Sequence, residues 1–522
     1  MSHSSYRILY YNWDPYFQKP MQGGGVSIYC RNLIDYLTHQ DNYQVSFLYS
    51  GMDYTFLSRH PYIKQVPNQT HPQVPTFSLF NSPIAAPSHL SFEDPVGNIQ
   101  NHHLETCFQQ FLAEQEPFGI IHFHNLEGLT ANCLKLAKES GAKVVFSLHN
   151  YWAVCPQVNL WKLESSPCSN YFEGRACAAC LPEKVNVDLE LNVRKLNHLG
   201  NVLGQDKQAP TLRIVRNLYK EFYLKIWNKF KSLTTSSPLK RQLELTGTEM
   251  PQRAGLYRHR RQEIVSLINR YVDVALSVSE RTTSIYRQYG VDPGRLTTQY
   301  IGSKATQFPV PTDNPKAYSP GQPFELIYMG PSRKDKGFYF LLEQLRSLPE
   351  SELSNLDLVI ASRITDEAEL KLAFEYKGQF LSLAQSLHRL RFYPGYSYEN
   401  IPTMLNGIHL GVIPPLWEDN LPQVTFELLA CRVPVMCSNR GGAQEFVRHP
   451  AFIFDPAIEG DFQSKLRTIR EHPHLLTEFW LKARLSVPIE QHFQDLVEIY
   501  NTDATRPHLL VGANQGSVVK TF

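Results

Sequence analysis

The stretch GVIPPLWEDNLPQVTFELLACRVPVMCSNRGGAQEFV, residues 411–447, indicates the fold most directly. An apolar run over 411–415 ends in an acidic, proline-broken loop, and a helical pattern begins near Gln423. A second β-like run over 433–437 then leads to a Gly-Gly turn with Glu445 behind it. Open α/β sheets bind ligands at the carboxyl ends of their strands. We therefore expect the acidic loop and the glycine turn to lie at a ligand site.

Two carboxylates bracket this loop, since seven residues separate Asp419 from Glu427. A helix N-terminus lies between them, and such termini favour anions. The spacing, followed by a helix, an apolar strand and Gly-Gly-x-x-Glu, resembles the retaining glycosyltransferases of family four, which have the GT-B fold. Gly441, Gly442 and Glu445 supply the last part of that pattern here.

The first acidic position of the motif has two candidates. Many family members have Glu there, whereas this chain has Glu418 followed by Asp419. Only Asp419 gives the seven-residue gap to Glu427, and we favour it for that reason.

Composition limits the classes of protein that fit. A chain of 522 residues with 42% apolar and 19% charged residues predicts a globular protein of two domains. A formal net charge of only +2 gives no indication of nucleic acid binding. No apolar run approaches 18 residues and no signal peptide is recognisable, so we expect a cytoplasmic protein with mostly reduced cysteines.

Strand and helix patterns alternate along both halves, which predicts two Rossmann-like, doubly wound parallel sheets facing a cleft. The predicted divisions are an acceptor domain over 1–315, a nucleotide-sugar domain over 316–485, a returning helix over 486–502 and a disordered tail over 503–522.

Two segments in the first half of the chain do not fit the alternation of strands and helices. Residues 61–95 are rich in Pro and His and are predicted to form a long surface loop. Residues 181–270 are polar and helical in period, which predicts a basic helical insertion. Within it, residues 205–264 carry 13 Lys and Arg against 5 Asp and Glu.

A second glycine turn, GPSRKDKG over 330–337, follows a predicted strand and opens a helix. The family usually has Gly-Arg followed by Lys-Gly, so Lys336 is in register while Pro331 replaces the Arg. We expect Arg333, two positions after Pro331, to reach the same phosphates. Two cations at a helix N-terminus would stabilise a departing diphosphate, so the resemblance implies that no metal is required for the chemistry. The alternative is a solvated basic turn.

The resemblance also assigns roles to other residues. It implies that Glu427 holds the donor ribose and that His149, which ends a strand in FSLHN, positions sugar hydroxyls. The remaining predicted contacts to the sugar and phosphates come from Gly24, Gly25, Gly330, Asp419, Asn420, Leu421, Gly442 and Glu445. His149 could instead be structural, Glu427 and Glu445 could serve helix termini, and the turn at Gly24 could be merely flexible.

Four cysteines, Cys155, Cys168, Cys177 and Cys180, lie within 26 residues and end in Cys-x-x-Cys. Such a group can supply tetrahedral zinc ligands, so a structural zinc is one hypothesis, and four free thiols are the other.

Residues 217–233, NLYKEFYLKIWNKFKSL, place aromatic residues on one helical arc and lysines off it. This pattern predicts either a helix packed on its own domain or a peripheral contact with an anionic membrane at the inner face of the plasma membrane.

These features predict a retaining glycosyltransferase that moves a sugar from a nucleoside diphosphate sugar to a glycan or lipid-linked acceptor, in cell-surface polysaccharide or glycan biosynthesis. Two alternatives stay open. One is an isomerase like the sugar-nucleotide 2-epimerases, which share the architecture. The other is a nucleotide-sugar-binding protein in which Pro331 marks a lost phosphate contact.

Overall fold

The computed structural model describes residues 6–18, 23–40, 42–163, 165–181, 186–204, 213–214, 216–221, 249–363, 373 and 375–502. The predicted tail over 503–522 and most of the predicted helix over 217–233 lie outside these residues.

The first sheet comes from the first half of the chain, and among the described residues it has eight strands in the order β10-β9-β6-β5-β1-β2-β4-β3. Every pair in it is parallel except β3 with β4. The central strand is fully buried from Ile8 to Tyr11, as expected for a parallel sheet covered on both faces. The strands are Tyr6–Tyr11 (β1), Tyr43–Ser50 (β2), Tyr62–Gln65 (β3), Thr76–Phe80 (β4), Ile120–Phe123 (β5), Lys143–Leu148 (β6), Val274–Ser277 (β9) and Leu296–Thr298 (β10), with a separate hairpin of Trp161–Lys162 (β7) and Ser166–Pro167 (β8).

The second sheet follows from residue 324 onward, with six described strands in the order β14-β13-β12-β15-β16-β17, all parallel. A separate two-stranded parallel pair, β11 with β18, links a segment that precedes this sheet in the chain to a segment that follows it. The strands are Gly302–Ser303 (β11), Phe324–Met329 (β12), Leu356–Ala361 (β13), Arg389–Tyr393 (β14), Leu410–Ile413 (β15), Val435–Ser438 (β16), Ile453–Phe454 (β17) and Val487–Pro488 (β18).

Helices cover the faces of both sheets. They are Gly24–Leu37 (α1), His102–Glu114 (α2), Cys133–Glu139 (α3), Arg175–Ala178 (α4), Val187–Val202 (α5), Glu249–Tyr271 (α6), Glu280–Gln288 (α7), Phe338–Arg346 (α8), Glu350–Leu353 (α9), Lys377–Ser386 (α10), Ile401–Leu405 (α11), Gln423–Ala430 (α12), Gln444–Val447 (α13), Asp461–Glu471 (α14), His474–Lys482 (α15) and Ile489–Asn501 (α16). None of the helices in the described ranges is long and apolar enough to cross a bilayer.

This architecture confirms the predicted α/β fold with two large parallel sheets. It contradicts the prediction of a surface loop over 61–95, because β3 and the fully buried β4 lie there. The sequence TFSLF of β4 is only five residues long and follows Pro75, so a pattern of alternation was too short to recognise.

Loops at the carboxyl ends of strands in the two sheets contact each other. In the second sheet, β12, β15 and β16 lead into the loops that begin at Gly330, Pro414 and Asn439. On the opposite side, the amide of Gln423 donates a hydrogen bond of 2.7 Å to the carbonyl oxygen of Gly25. The predicted donor and acceptor loops therefore contact each other, and we call the junction between them the cleft.

Candidate active site

The glycine turn after β12 brings a lysine to the acidic loop. Lys336 Nζ lies 2.7 Å from Asp419 Oδ2, and the ammonium also lies 5.0 Å from the centre of the Trp417 ring. Gly337 has φ 74°, and a Cβ there would lie 1.7 Å from the carbonyl oxygen of Pro414. Glycine is therefore required where the two loops cross.

Arg333 is held within the same turn. Its guanidinium makes two hydrogen bonds to the Asp335 carboxylate, at 3.0 and 2.7 Å. Asp335 is buried, whereas Arg333 is exposed. This fork fixes the guanidinium against the Asp335 carboxylate. Phosphate binding by Arg333 stays a prediction.

Asp419 and Glu418 have separate partners in the structure. Asp419 pairs with Lys336, whereas Glu418 accepts hydrogen bonds from the Arg281 guanidinium at 2.8 and 2.7 Å and from the backbone N–H of Gly441 at 3.0 Å. Asp419 therefore joins the candidate phosphate site, and Glu418 joins the contact between the two domains. Their roles in catalysis stay predictions.

The backbone of the acidic loop is fixed by the glycine turn behind it. Gly442 N–H donates to the carbonyl oxygen of Asp419 at 2.8 Å, and a Cβ on Gly441 would lie 1.8 Å from that same oxygen. Asn420 and Leu421 are buried here, and the Asn420 amide donates to Thr282 Oγ1 at 3.2 Å.

Glu427 is a buried carboxylate, 5% exposed, in the second turn of α12. Its Oε2 atom has no hydrogen-bond partner among the residues that the structure describes. Burial raises the pKa of this carboxyl from 4.5 to about 7. A buried carboxylate oxygen without a donor is costly, and hydroxyl groups of a ligand would satisfy it.

Glu445 contacts the first domain. Its carboxylate accepts the backbone N–H groups of Glu280 and Arg281 at 2.9 and 2.8 Å and the hydroxyl of Tyr300 at 2.8 Å. Those two N–H groups belong to the first two residues of α7, which have no acceptor within their own helix. A carboxylate of the second domain therefore accepts hydrogen bonds from a helix N-terminus of the first domain. Donor binding by Glu445 stays a prediction.

On the first-domain side, His149 follows β6 and lies among buried aromatic rings. Its Nε2 atom is 3.2 Å from His124 Nδ1, and its ring centre is 5.0 Å from that of Tyr29. Burial, together with the neighbouring His492, lowers the pKa of His149 to about 3. The imidazole is therefore neutral at physiological pH.

The glycine loop before α1 is fixed by a buried carboxylate. Asp14 accepts hydrogen bonds from the backbone N–H of Gly23 at 2.8 Å and from the hydroxyl of Ser27 at 2.5 Å. Gly24, with φ 56°, has open space where a Cβ would lie, and Gly25 contacts Gln423 across the cleft. Both glycines thus lie at the cleft, and their contact with a donor stays a prediction.

The four clustered cysteines are not in disulfide bonds, and Cys155, Cys177 and Cys180 are buried. Gln157 donates to Cys180 Sγ at 3.3 Å. Within the described ranges, no group of three or more His, Cys, Asp or Glu side chains is arranged to hold a metal ion. The zinc hypothesis therefore has no support from the geometry.

Several cleft residues were missed by sequence reasoning. Arg281, Tyr29 and His492 come from distant parts of the chain, and their local sequence shows nothing unusual. Trp417 could have been found, because a large aromatic residue directly before the acidic pair is unusual in a polar loop.

Comparison with known proteins identifies a family match and similar folds. Residues 310–484 match the family model described as glycosyl transferases group 1. No curated protein sequence matches the chain.

Three solved structures are similar over nearly the whole chain. HepE from Anabaena, in complex with UDP and glucose, has a TM-score of 0.50 at 12% identity, over 94% of this chain and 98% of that one. Sucrose-phosphate synthase from Thermosynechococcus elongatus has a TM-score of 0.53 at 14% identity, over 95% and 98%. The α,α-trehalose 6-phosphate synthase from Burkholderia multivorans has a TM-score of 0.51 at 11% identity, over 96% of each chain. The chain therefore has the fold of the GT-B glycosyltransferases, with a glycosyl transferases group 1 region at residues 310–484.

Proposed function

We propose that this protein is a retaining glycosyltransferase that moves a sugar from a nucleoside diphosphate sugar to an acceptor hydroxyl in cell-surface polysaccharide or glycan biosynthesis. The buried Glu427 carboxylate carries the proposal, because its unpaired Oε2 atom suits the ribose hydroxyls of a nucleotide. In this proposal, Lys336 and Arg333 on the turn after β12 bind the diphosphate; the contact of Lys336 with Asp419 in the acidic loop supports it.

The proposed step is a substitution on one face of the sugar. The bond from the anomeric carbon to the β-phosphate oxygen breaks, and its electron pair leaves with the diphosphate. The acceptor oxygen bonds to the same face of that carbon, and its proton passes to a phosphate oxygen. Lys336 and Arg333 stabilise the charge on the departing diphosphate, so no added metal is needed. Asp419 and His149 orient the sugar hydroxyls.

A panel of UDP-, GDP- and ADP-sugars tests the proposal. UDP-glucose comes first, because the similar HepE structure contains UDP and glucose. Thermal shift identifies the donor, and release of nucleoside diphosphate with retained anomeric configuration in the product supports the proposal. Appearance of an epimeric sugar nucleotide from donor alone would establish the isomerase alternative. Donor binding without diphosphate release, with glycan and lipid-linked acceptors, would establish the binding protein.

Peripheral membrane contact forms a second part of the proposal. The end of α5 exposes apolar side chains, with Leu199 47%, Val202 68% and Leu203 70% exposed. This end precedes the basic stretch over 205–264. Apolar and basic groups together bind anionic bilayers. Sedimentation with vesicles of phosphatidylglycerol and phosphatidylcholine tests this contact, and equal binding to vesicles of phosphatidylcholine alone would contradict the electrostatic part.

Zinc is not needed for the proposed chemistry. Metal analysis of the purified protein decides between the two hypotheses for the four cysteines. One zinc per chain that is lost in Cys177→Ser supports the structural site, and its absence leaves four free thiols.

A further inference from the structure

Two histidines from neighbouring strands meet at the cleft. His124 follows β5 and His149 follows β6, and these strands pair in parallel, so the two side chains leave the same edge of the sheet. His124 Nδ1 lies 3.2 Å from His149 Nε2, and the ring planes are 33° apart. One hydrogen atom must lie between these two nitrogens, because a close contact of two bare acceptors would be repulsive.

The environment of His124 limits where the other hydrogen atoms can be. His124 is fully buried, with its ring centre 4.3 Å from that of His122 and 5.3 Å from that of Tyr10. Its Nε2 atom has no hydrogen-bond partner within the described part of the chain. Burial lowers the pKa of both His124 and His149, so neither ring carries a charge at neutral pH. Each ring therefore bears one hydrogen.

Only two arrangements remain. If His149 donates from Nε2, His124 must carry its hydrogen on Nε2, where a buried N–H group would have no acceptor. If His124 donates from Nδ1, its Nε2 is a bare acceptor, and the hydrogen of His149 is on Nδ1. In proteins, a buried N–H group without an acceptor is rarer than a buried acceptor without a donor. The second arrangement is therefore favoured.

We propose that His124 is a positioning residue that fixes the tautomer of His149, so that His149 presents an Nδ1–H donor on the side of its ring away from His124. His149 is partly exposed, whereas its Nε2 side faces the buried ring of His124. The hydrogen bond at one ring nitrogen determines which tautomer the other nitrogen presents.

The consequence for chemistry rests on the proposed function. A fixed Nδ1–H donates a hydrogen bond to an oxygen of the sugar or the acceptor and cannot remove a proton from it. His149 is then an orienting group rather than a general base. The acceptor proton must go elsewhere, in agreement with its transfer to the leaving phosphate.

The first test needs no substrate. Histidine labelled with 15N is incorporated into the full chain, and the signals of His149 are identified by their loss in His149→Gln. We expect Nδ1 to be the protonated nitrogen and Nε2 the bare one. Protonation at Nε2 would overturn the proposal, whether or not the protein proves to be a glycosyltransferase.

The second test uses a matched pair of variants. His124→Asn keeps an N–H group near the position of Nδ1, whereas His124→Leu has similar branching and no donor. With the donor from the sugar-nucleotide panel, we expect kcat to fall about 10- to 100-fold in His124→Leu and to stay near the wild-type value in His124→Asn, with KM for the donor little changed. Equal losses in both variants would overturn the proposal.

His122→Asn is the control for packing. The His122 ring packs against His124 with the ring planes 33° apart, but its nitrogens contact the hydroxyls of Tyr500 and Ser147 rather than His149. It should leave the His149 signals unchanged. If His124→Leu does not fold, the wild-type 15N signals still decide the tautomer. If wild-type protein consumes no sugar nucleotide, the proposed function fails, and the tautomer result stands on its own.

Discussion

At the scale of single residues, the candidate site places one lysine next to a carboxylate and an aromatic ring. The Lys336 ammonium lies between the Asp419 carboxylate and the face of Trp417, so its position is fixed before any ligand arrives. A cation fixed in advance stabilises a developing negative charge without reorganisation at the moment of reaction. The candidate site is thus organised around one lysine.

Lys336→Ala should lower kcat about 10²- to 10³-fold, because the departing diphosphate loses a fixed cation. Lys334→Ala is the control, since Lys334 is exposed in the same turn. The rate of diphosphate release is measured for both variants, and circular dichroism checks that each variant is folded. Near-normal turnover in Lys336→Ala would remove this lysine from the mechanism.

Glu427 should make stability depend on pH. A carboxyl whose pKa is higher in the folded state binds its proton more tightly there, so the ligand-free protein loses stability as pH rises from 4.5 to about 7. The loss is at most about 3 kcal/mol. Glu427→Gln lacks this contribution. The free energy of unfolding of the variant minus that of the wild type should therefore increase from pH 5 to pH 8. Urea unfolding of both proteins measures the difference, and a difference independent of pH would contradict the raised pKa.

At the scale of elements, the first two backbone N–H groups of α7 donate hydrogen bonds to a side chain of the second domain. Glu445 accepts the N–H groups of Glu280 and Arg281, and the Arg281 side chain returns to Glu418. The start of α7 therefore contacts both helix α13 and the acidic loop after β15 through charge-assisted hydrogen bonds.

Glu445→Gln should weaken this contact by about 0.3–1 kcal/mol, the usual value of a charge at a helix N-terminus. The expected result is a shift toward an open cleft, measured as a larger radius of gyration in X-ray scattering, with little change in donor affinity. Glu280→Gln, on the same helix turn, is the control. A large loss of donor affinity in Glu445→Gln would instead support the donor-binding role predicted from the sequence.

The sequence predicts the elements that short-range patterns specify. The unit over 411–447 is visible because its strands, helix and glycine turn all lie within one local stretch, and α12 begins at Gln423 as predicted. The β4 strand was missed because five residues beside a proline show too little alternation. The contact of Glu445 with α7 depends on the juxtaposition of two domains, and no local pattern encodes that.

At the scale of the whole molecule, Trp417 joins the two domains through apolar packing. It comes from the second-domain acidic loop, yet it packs in a core cluster with Tyr151, Trp152 and Tyr286 of the first domain. Its ring meets that of Tyr151 edge to face at 6.4 Å. Closure of the cleft and placement of Lys336 therefore depend on the same side chain.

Trp417→Ala should separate the domains, because loss of a buried Trp costs about 3–5 kcal/mol. We expect a larger radius of gyration in solution and lower kcat, whereas Trp417→Phe keeps most of the apolar contact and should stay close to the wild type. An unchanged radius in Trp417→Ala would show that the polar contacts alone hold the cleft closed.

The last described helix has a consequence for the order of folding during synthesis. Along α16, His492 contacts the Tyr29 hydroxyl at 2.6 Å, and the Tyr500 hydroxyl contacts His122 at 2.7 Å, so the interior of the first domain has partners 463 and 378 residues away along the chain. A nascent chain that has emerged only through β10 leaves Tyr29 and His122 without these partners. The ribosome must therefore translate the whole second domain before the first can reach its native packing.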